Sequence, residues 1–422
     1  MNGNIIVHSA GELVTVGGGM ARCGKEMGRV SALADGAVKI TGGVIAAVGA
    51  TADILKQPPP PDYTLIDAGG RSVIPGFVDA HTHFVFGGYR DEEFSWRLSG
   101  MRYMDILERG GGILETVRAT RETSSEALLK LALARLDSMM AFGVTTVEGK
   151  SGYGLDLDTE LRVLEVMAEA NRRHPVDVVA TFLGAHTVPP EYRGRTEAYI
   201  DFIITSVLPE VARRGLAAFC DVFCEKGVFS VAQSRKLLTA ARKAGLGIKL
   251  HADEMAPLGG AELAAELGAV SADHLLSASA AGIAGLAAAG TVATLLPATA
   301  FILGEPFARA REMIEAGCAV ALATDMNPGS SFTESIPLVS ALAALKMKMT
   351  PEEILTALTL NGAAALSRAH RTGSIATGKM GDLLILGAPS IRFIPYHTGV
   401  NIVETVIKNG TIVYPREGKR PL

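Results

Sequence analysis

The chain carries little net charge, and this scarcity excludes two classes of partner. Its 422 residues include 40 Lys and Arg against 44 Asp and Glu, which gives a formal charge of −4 at pH 7. Nucleic-acid-binding domains present a basic patch, and many peripheral membrane proteins carry a polybasic segment. The balance of charges therefore predicts neither a nucleic-acid partner nor a membrane partner.

Cysteine is scarce as well. Cys23, Cys220, Cys224 and Cys318 are too few and too scattered for a disulfide framework, and no two of them form a Cys-x2-Cys pair. We expect them to be buried thiols of a protein in a reducing compartment. The first residues, MNGNIIVHSAGELVTV, have neither the charged start nor the long apolar stretch of a secretory signal. These features predict a cytoplasmic protein.

One long segment without charge raises the question of a membrane span. No charged residue occurs from Leu275 to Gly304, and the mean hydropathy of the chain is +0.27. The segment contains Pro297 and several Ser and Thr residues, and no cluster of Lys or Arg flanks it. We interpret it as an Ala-rich helix, a turn at Gly290 and a short strand, TVATLLP, buried on both faces as in parallel sheets.

The two ends of the chain share one sequence style, which predicts a composite β domain. Residues 1–70 and 374–422 consist of short β-type runs divided by Gly, such as GAVKITGGVIAAVGA and TVIKNGTIVYP. Near-alternating β-branched residues in 37–46 indicate a hairpin, and Asn409-Gly410 is a strong signal for a two-residue hairpin turn. We expect both ends to form one small β domain that flanks the middle of the chain.

The middle of the chain, residues 71–373, alternates strand-type runs with helical segments. Helical periodicity is clear where Leu128, Leu131, Ala132 and Leu136 share one face. Eight such units are typical of an α/β fold with a (β/α)8 TIM barrel, and an open doubly wound sheet is the alternative. The eight apolar runs are SVIPGFVDAH, GVTTVEGK, VDVVATFLGAH, AFCDVFCE, GIKLHADE, SADHLL, TVATLLP and AVALATDMNPG.

Histidine and aspartate at the ends of these runs favour the barrel and predict a metal site. His81 and His83 end the first run two residues apart, so both side chains point to the same side of the strand. His251 ends the fifth run, His274 the sixth and Asp325 the eighth. A barrel brings all of these ends to one mouth, whereas an open sheet would scatter them. Imidazole and carboxylate ligands without thiolate suit Zn2+, Fe2+ or Mn2+.

These motifs resemble those of the amidohydrolase superfamily, which are metal-dependent barrels with a composite β-sandwich. The likeness extends over essentially the whole chain and is carried by GFVDAHTH, HADE, the two later strand-end residues and the tail GSIATGKMGDLLIL. FGGYR, GKSGYGLD, FLGAHTVPPEY and TDMNPGSS are most similar to segments of superfamily enzymes of histidine breakdown. The resemblance implies a hydrolase that opens the ring of 4-imidazolone-5-propanoate to give N-formimidoyl-L-glutamate, and family precedent favours a homodimer.

The resemblance also implies the metal ligands. His81, His83, His251 and Asp325 would bind one divalent ion, zinc or iron (Fe2+ or Fe3+), and leave a position for water. A bound metal lowers the pKa of water from about 15.7 to about 7, which makes hydroxide available for attack on the ring.

Catalytic and substrate-binding roles follow from the same resemblance. Asp325 and His274 would orient the water and accept its proton, and Glu254 would pass a proton to the leaving ring nitrogen. The acid and base roles of Glu254 and His274 can be exchanged without any change in sequence. The small anionic substrate would be bound by a guanidinium on its propionate and by neighbouring loop residues: Arg90, Tyr153, His186, Glu254, Asn327, Gly329 and Ser330.

Simpler interpretations stay open for three of these residues. Arg90 stands beside Asp91, Glu92 and Glu93 and could form a surface salt bridge. Tyr153 could be a packing residue. His186 could be a loop histidine whose hydrogen bonds are satisfied locally.

Functional alternatives stay open as well. A cytosine or guanine deaminase of the same superfamily would share the histidine motifs, but its neutral substrate has no carboxylate for Arg90 to bind. A metal-free binding relative is a second alternative, from another class. Lys150 or Lys226 could be a carbamylated lysine between two metals. Residues 373–379 fit the phosphate-binding pattern G-x4-G-K, but Met380 replaces the Ser or Thr that would hold Mg2+.

Overall fold

The computed structural model of the protein describes residues 3–101, 105, 109 and 111–415. Its strands fall into three groups along the chain. The first group is β1 Ile5–Ala10, β2 Glu12–Val14, β3 Ala32–Leu33, β4 Gly36–Thr41, β5 Val44–Ala50, β6 Thr64–Asp67 and β7 Ser72–Pro75. The second is β8 Phe77–Asp79, β9 Val144–Lys150, β10 Asp177–Ala185, β11 Phe219–Cys224, β12 Gly247–Ala252, β13 Ser271–His274, β14 Val292–Leu295 and β15 Val320–Leu322. The third is β16 Leu383–Leu386, β17 Val403–Lys408 and β18 Thr411–Tyr414.

Helices separate most strands of the second group. Several begin at a side chain that caps the first turn: Ser124 accepts from the amide of Ala127, and Ser230 and Gln233 form a capping box. The α-helices are Thr51–Ile54, Asp91–Leu98, Ile113–Glu122, Ser125–Ala141, Leu157–Arg173, Thr196–Phe202, Leu208–Arg214, Val231–Lys243, Gly260–Leu267, Ala280–Ala289, Pro297–Leu303, Ala310–Glu315, Ile336–Leu345, Pro351–Leu358, Leu360–Ala365 and Phe393–Tyr396. Short 3-10 turns cover Gly24–Gly28 and Pro190–Tyr192, and Ile203–Val207 is π-helical.

The second group of strands forms the predicted barrel. Within the described residues, β8 to β15 are all parallel to their neighbours and follow one another in chain order. The sheet closes beyond β15, where Thr82 and Met326 form a parallel bridge. The Asp79 carboxylate reinforces this seam because it accepts from the amide and the hydroxyl of Thr324, at 3.0 and 2.7 Å. The (β/α)8 fold is therefore confirmed, and all eight strand ends surround one mouth.

The strands at both ends of the chain form two sheets that share an apolar core, as the composite β-sandwich requires. In the described part of the chain the sheet orders are β5-β4-β1-β6 and β18-β17-β16-β7-β2-β3. Asn409 and Gly410 join β17 to β18 with φ of 49° and 67°, which is the predicted two-residue turn. The shared core consists mainly of aliphatic residues: Ile5, Val7, Leu13, Val38, Ile40, Ile45, Val73, Leu383, Ile385 and Ile407.

The first predicted barrel run is two strands rather than one. β7 pairs with β16 and β2 of the sandwich, whereas β8 pairs with β9 of the barrel. Gly76 separates them at a close approach, since a Cβ at this position would lie 2.3 Å from Thr145 Oγ1. Strand β7 thus lies beyond residue 70, on the barrel side of the expected boundary. Residues 1–2 and 416–422 of the predicted β domain lie outside the described residues.

The uncharged segment has the predicted helix–turn–strand form. The helix Ala280–Ala289 ends at Gly290, which has φ of 69°, and the buried strand β14 follows. No helix in the described ranges combines the length and the apolar character that crossing a membrane requires. The segment is thus part of the barrel wall.

Lys379, the lysine of the phosphate-binding pattern, lies buried between the two ends of the chain. Its Nζ donates to the carbonyl oxygen of Gly18 and to Ser374 Oγ, each at 2.6 Å. The side chain is 6% exposed. Its donors are therefore engaged by the protein itself.

Candidate metal centre and substrate pocket

Three imidazole nitrogens and one carboxylate oxygen converge at the mouth of the barrel. Asp325 Oδ1 lies 3.5 Å from His81 Nε2 and 3.6 Å from His83 Nε2. His251 Nε2 lies 3.4 Å from His83 Nε2. Ligand atoms about 2.1 Å from one tetrahedral ion are about 3.4 Å apart, so these spacings suit a shared cation.

Two carboxylates beneath the mouth contact the imidazoles of His81 and His251, and the one at His81 forms a hydrogen bond. Asp273 Oδ2 lies 2.7 Å from His81 Nδ1, and Asp221 Oδ2 lies 3.0 Å from His251 Nδ1. A carboxylate at Nδ1 favours the tautomer whose Nε2 lone pair is free to bind a metal. Burial also lowers the pKa of His81, His83 and His251 well below the ordinary value, which keeps the rings neutral. The donor set therefore fits one divalent metal ion.

Asp325, three residues after the last barrel strand, adopts a strained backbone conformation. Its φ is 54° and that of His274 is 76°, in the left-handed region that costs about 1–3 kcal/mol for such residues. The amide of Asp325 donates to the carbonyl oxygen of His81 at 3.0 Å, and Thr299 Oγ1 donates to Asp325 Oδ2 at 2.6 Å. These two bonds hold the carboxylate with Oδ1 toward the histidines.

Glu254 and His274 form a second pair beside the ligands. His274 Nδ1 lies 3.6 Å from Glu254 Oε1, and the His274 ring centroid is 5.3 Å from that of His81. Burial, with a further contribution from the charge of Asp325, raises the pKa of Glu254 to about 8. Burial lowers the pKa of His274 to about 4. Near neutral pH the pair is thus a protonated carboxyl beside a neutral imidazole, which can donate and accept a proton.

Tyr153 and His186 lie against the metal ligands. The His186 ring stacks on His83 with centroids 4.9 Å apart and an interplanar angle of 13°. The Tyr153 ring is 5.3 Å from that of His186, and the two residues are 3% and 9% exposed. Burial raises the pKa of the Tyr153 phenol, which therefore stays a neutral hydrogen-bond donor. Both residues face the mouth, so they are available to contact a ligand as well as to pack.

Arg90 forms the ion pair that the sequence left open, but in a nearly buried position. Its Nε and Nη2 donate to the two carboxylate oxygens of Glu93 at 2.8 and 2.6 Å. The Arg90 side chain is only 13% exposed. Its remaining nitrogen, Nη1, lies against Gly329, where a Cβ would be 2.1 Å away. The ion pair of Arg90 is thus largely buried rather than at the surface, and it fixes the guanidinium.

A turn after β15 brings the remaining predicted residues to the same side of the mouth. Asn327 Oδ1 accepts from the amides of Gly329 and Ser330, each at 2.8 Å. Arg97 Nη2 donates to the carbonyl oxygen of Gly329 at 2.8 Å. A cavity of about 460 Å³ adjoins this turn. Aromatic and charged side chains line it, among them Tyr89, Arg90, Phe94, Arg97 and Phe332.

Known proteins resemble this chain over almost its full length. The Amidohydrolase family profile matches residues 99–414. The imidazolonepropionase of Clostridium tetani (strain Massachusetts / E88) is 58% identical over 414 residues, which cover 98% of this chain and 99% of that protein. The chain belongs to the imidazolonepropionase family of amidohydrolases. The imidazolonepropionase of Parabacteroides distasonis is 57% identical over 411 residues, which cover 97% of this chain and 99% of the relative.

The fold of this imidazolonepropionase family member also occurs in distant solved structures. An adenosine deaminase from Xanthomonas campestris with bound zinc has a TM-score of 0.71 at 20% identity. The match covers 97% of this chain and 92% of the deaminase. At this identity the similarity concerns the fold alone.

Little in the sequence indicated the polar residues that contact the candidate metal ligands. Asp221 and Asp273 contact two histidines, and Thr299 binds Asp325. Lys150, weighed above as a carbamate, instead places Nζ 2.7 Å from Asp221 Oδ2 and 3.2 Å from Asp273 Oδ2. Asp273 carried a visible signal, since it directly precedes His274 at a strand end, and Lys150 was considered only as a carbamate.

Lys226, the other carbamate candidate, is exposed at the end of the fourth barrel unit. Glu225 Oε1 accepts from the backbone amide of Lys226 at 2.7 Å. An exposed lysine after β11 is poorly placed to bridge two ions among buried ligands, so the site favours one metal.

Proposed function

We propose that the barrel mouth hydrolyses the imidazolone ring of 4-imidazolone-5-propanoate to N-formimidoyl-L-glutamate, a step of histidine degradation. The reaction adds water to the ring carbonyl carbon and breaks its bond to the ring nitrogen. The relatives named imidazolonepropionase, at 57–58% identity over nearly full length, support this assignment. A small anionic molecule is accordingly the partner of the site.

The metal, zinc or iron, would be held by His81, His83, His251 and Asp325. When bound, it supplies a Lewis acid that lowers the pKa of water and polarises the ring carbonyl. The convergence of three Nε2 atoms and Oδ1 supports this ligand set. Asp221 and Asp273 keep two of the imidazoles in the ligating tautomer.

The chain itself supplies the proton transfers. Asp325 and His274 accept the proton that the attacking water loses. Glu254, which is protonated near neutral pH, donates a proton to the ring nitrogen that leaves. The spacing of 3.6 Å between Glu254 Oε1 and His274 Nδ1 supports a return of the proton within this pair.

A second group of residues would bind and orient the substrate. Arg90 binds the propionate through Nη1, because Glu93 already occupies Nε and Nη2. Tyr153 donates its phenol hydrogen, and His186 lies over the ring. Asn327, Gly329 and Ser330 form the turn against which Arg90 packs.

The observation that carries the proposal is the buried group of His81, His83 and His251 with Asp325 Oδ1 against two of these rings, together with an Arg90 guanidinium that Glu93 fixes. A guanidinium suits a substrate with a carboxylate, whereas cytosine and guanine have none. The test is a turnover assay of the metal-loaded protein on 4-imidazolone-5-propanoate, with cytosine and guanine as controls. We expect turnover of the first compound alone. Deamination of cytosine or guanine without ring opening would contradict the proposal.

We also propose a cytoplasmic homodimer. Four free cysteines support a reducing compartment, although Cys23 is exposed and only the other three are buried as expected: Cys220, Cys224 and Cys318. Leu345 and Tyr396, 61% and 78% exposed, supply apolar surface for a contact between subunits, on helices that pack together. Light scattering after size-exclusion chromatography tests the proposal. A mass of 88 kDa, twice the chain mass of 44.1 kDa, is expected, and a monomer would contradict it.

A further inference from the structure

A cluster of buried charges lies directly beneath the candidate metal centre. Lys150, at the end of β9, is 0% exposed. Its Nζ contacts three carboxylates: Asp221 Oδ2 at 2.7 Å, Glu148 Oε1 at 3.1 Å and Asp273 Oδ2 at 3.2 Å. Burial lowers the pKa of Lys150, but the charges of Asp221, Glu148 and Asp273 outweigh it and raise that pKa above the ordinary value. The side chain is therefore an ammonium.

The same two aspartate oxygens contact the metal-binding histidines. Asp221 Oδ2 lies 3.0 Å from His251 Nδ1, and Asp273 Oδ2 lies 2.7 Å from His81 Nδ1. One ammonium group thus connects two imidazoles through a single oxygen of each aspartate. The two histidines come from β12 and from the segment after β8, on different parts of the barrel wall.

The second buried lysine of the cluster, Lys249, pairs mainly with Glu148. Lys249 Nζ lies 2.7 Å from Glu148 Oε2 and 3.9 Å from Asp273 Oδ2. Among the residues that the structure describes, Lys150 is the one lysine or arginine within 4.0 Å of Asp221. Without the ammonium of Lys150, the buried carboxylates of Asp221 and Asp273 would repel each other. Asp221 would also lose its cationic partner.

We propose that Lys150 is a positioning residue that holds Asp221 and Asp273 in place, and thereby aims His251 Nε2 and His81 Nε2 at one point. The inference deepens the proposed function, because it rests on the metal site described there. Lys150 lies behind the candidate ligands, where its Nζ contacts the carboxylates of Glu148, Asp221 and Asp273. Its effect reaches the site through the carboxylate–histidine contacts.

The test compares two buried lysines. Lys150→Met removes the ammonium, and Lys408→Met removes a remote one that is 3% exposed and lies 2.7 and 2.8 Å from Asp177 and Asp382. The first measurement is the Zn2+ dissociation constant of the full chain by chelator competition. The second is the d–d absorption spectrum of protein saturated with Co2+, which reports ligand geometry rather than folding. Loss of a partner behind the ligands typically weakens metal binding about 10- to 100-fold.

We expect Lys150→Met to bind Zn2+ 10- to 100-fold more weakly than wild type and to show an altered Co2+ spectrum. Lys408→Met is expected to keep both at wild-type values while losing thermal stability. A second variant, Lys150→Met/Glu148→Gln, removes one ammonium and one carboxylate, so the buried cluster keeps its net charge. It should fold and still bind Zn2+ weakly.

The outcomes separate the two proposals. Wild-type protein that binds no Zn2+ or Co2+ would overturn the proposed metal site and the role of Lys150 together. Normal metal binding and normal spectra in both Lys150 variants would overturn the role of Lys150 alone. If both variants fail to fold while Lys408→Met folds, Lys150 is a core residue and the positioning role is wrong.

Discussion

Replacement of Thr299 by valine removes one hydroxyl and almost no volume. The Thr299 hydroxyl donates to Asp325 Oδ2 at 2.6 Å, and the two residues are 0% and 2% exposed. Burial raises the pKa of Asp325 to about 7, and the hydrogen bond from Thr299 opposes this shift. The hydroxyl therefore stabilises the ionised carboxylate and leaves Oδ1 directed at His81 and His83.

The expected magnitude follows from the charge of the acceptor. A hydrogen bond to a charged group contributes about 1.5–3 kcal/mol, and about 1.4 kcal/mol corresponds to a tenfold change in rate. Thr299→Val should thus lower kcat/KM for 4-imidazolone-5-propanoate by about 10- to 150-fold. The assay is steady-state turnover of metal-loaded protein, with the circular dichroism spectrum unchanged.

Two further variants distinguish the hydrogen bond from packing. Thr299→Ser keeps the hydroxyl and should stay close to wild type. Thr291→Val removes another buried hydroxyl, one with no hydrogen-bond partner among the described residues, before the start of β14. It should leave kcat/KM unchanged. Equal losses in Thr299→Val and Thr299→Ser, or no loss in Thr299→Val, would refute the reasoning.

Three other substitutions test the rest of the site. Asp325→Asn should abolish turnover and leave the far-ultraviolet circular dichroism spectrum intact, and retained turnover would contradict the mechanism. Arg90→Ala should raise KM with little effect on kcat, at a cost of about 1.5–3 kcal/mol in binding, and an unchanged KM would remove Arg90 from the pocket. Gly329→Ala should also raise KM, because its Cβ would lie 2.1 Å from Arg90 Nη1. Gly49→Ala, whose Cβ would meet Ile54 at an ordinary 3.8 Å, serves as its control, and equal KM values for the two alanine variants would contradict the contact.

The parts of the fold that were predictable are those determined by local periodicity. The His-x-His pair could be assigned to the barrel mouth because it follows an apolar strand-type run, but its placement on the strand itself was wrong: β8 ends at Asp79, and both histidines lie in the segment after it. The Asn409-Gly410 turn could be predicted because both residues tolerate positive φ. The division of the first run into β7 and β8 could not, since it depends on pairing with β16, which lies near the other end of the chain.

The polar residues that contact the candidate metal ligands could not be predicted, for a similar reason. Asp273 lies opposite His251 in the register of β12 and β13, yet its carboxylate contacts His81 in the segment after β8. Thr299 lies on a helix after β14 and has no motif of its own. Contacts of this kind join residues from different parts of the barrel. They depend on how the barrel closes and cannot be predicted from the sequence of one strand. The roles of the predicted site residues stay predictions that the substitutions above examine.

The central claim is that one metal ion, held by three histidines and Asp325, supports hydrolysis of the imidazolone ring. The most direct measurement is a metal titration of chelator-stripped protein, with ring opening of 4-imidazolone-5-propanoate followed at each point. The stripped protein should be inactive, and turnover should rise to a plateau at one equivalent of metal per chain. Full turnover without metal, or a plateau that requires two equivalents, would contradict the claim.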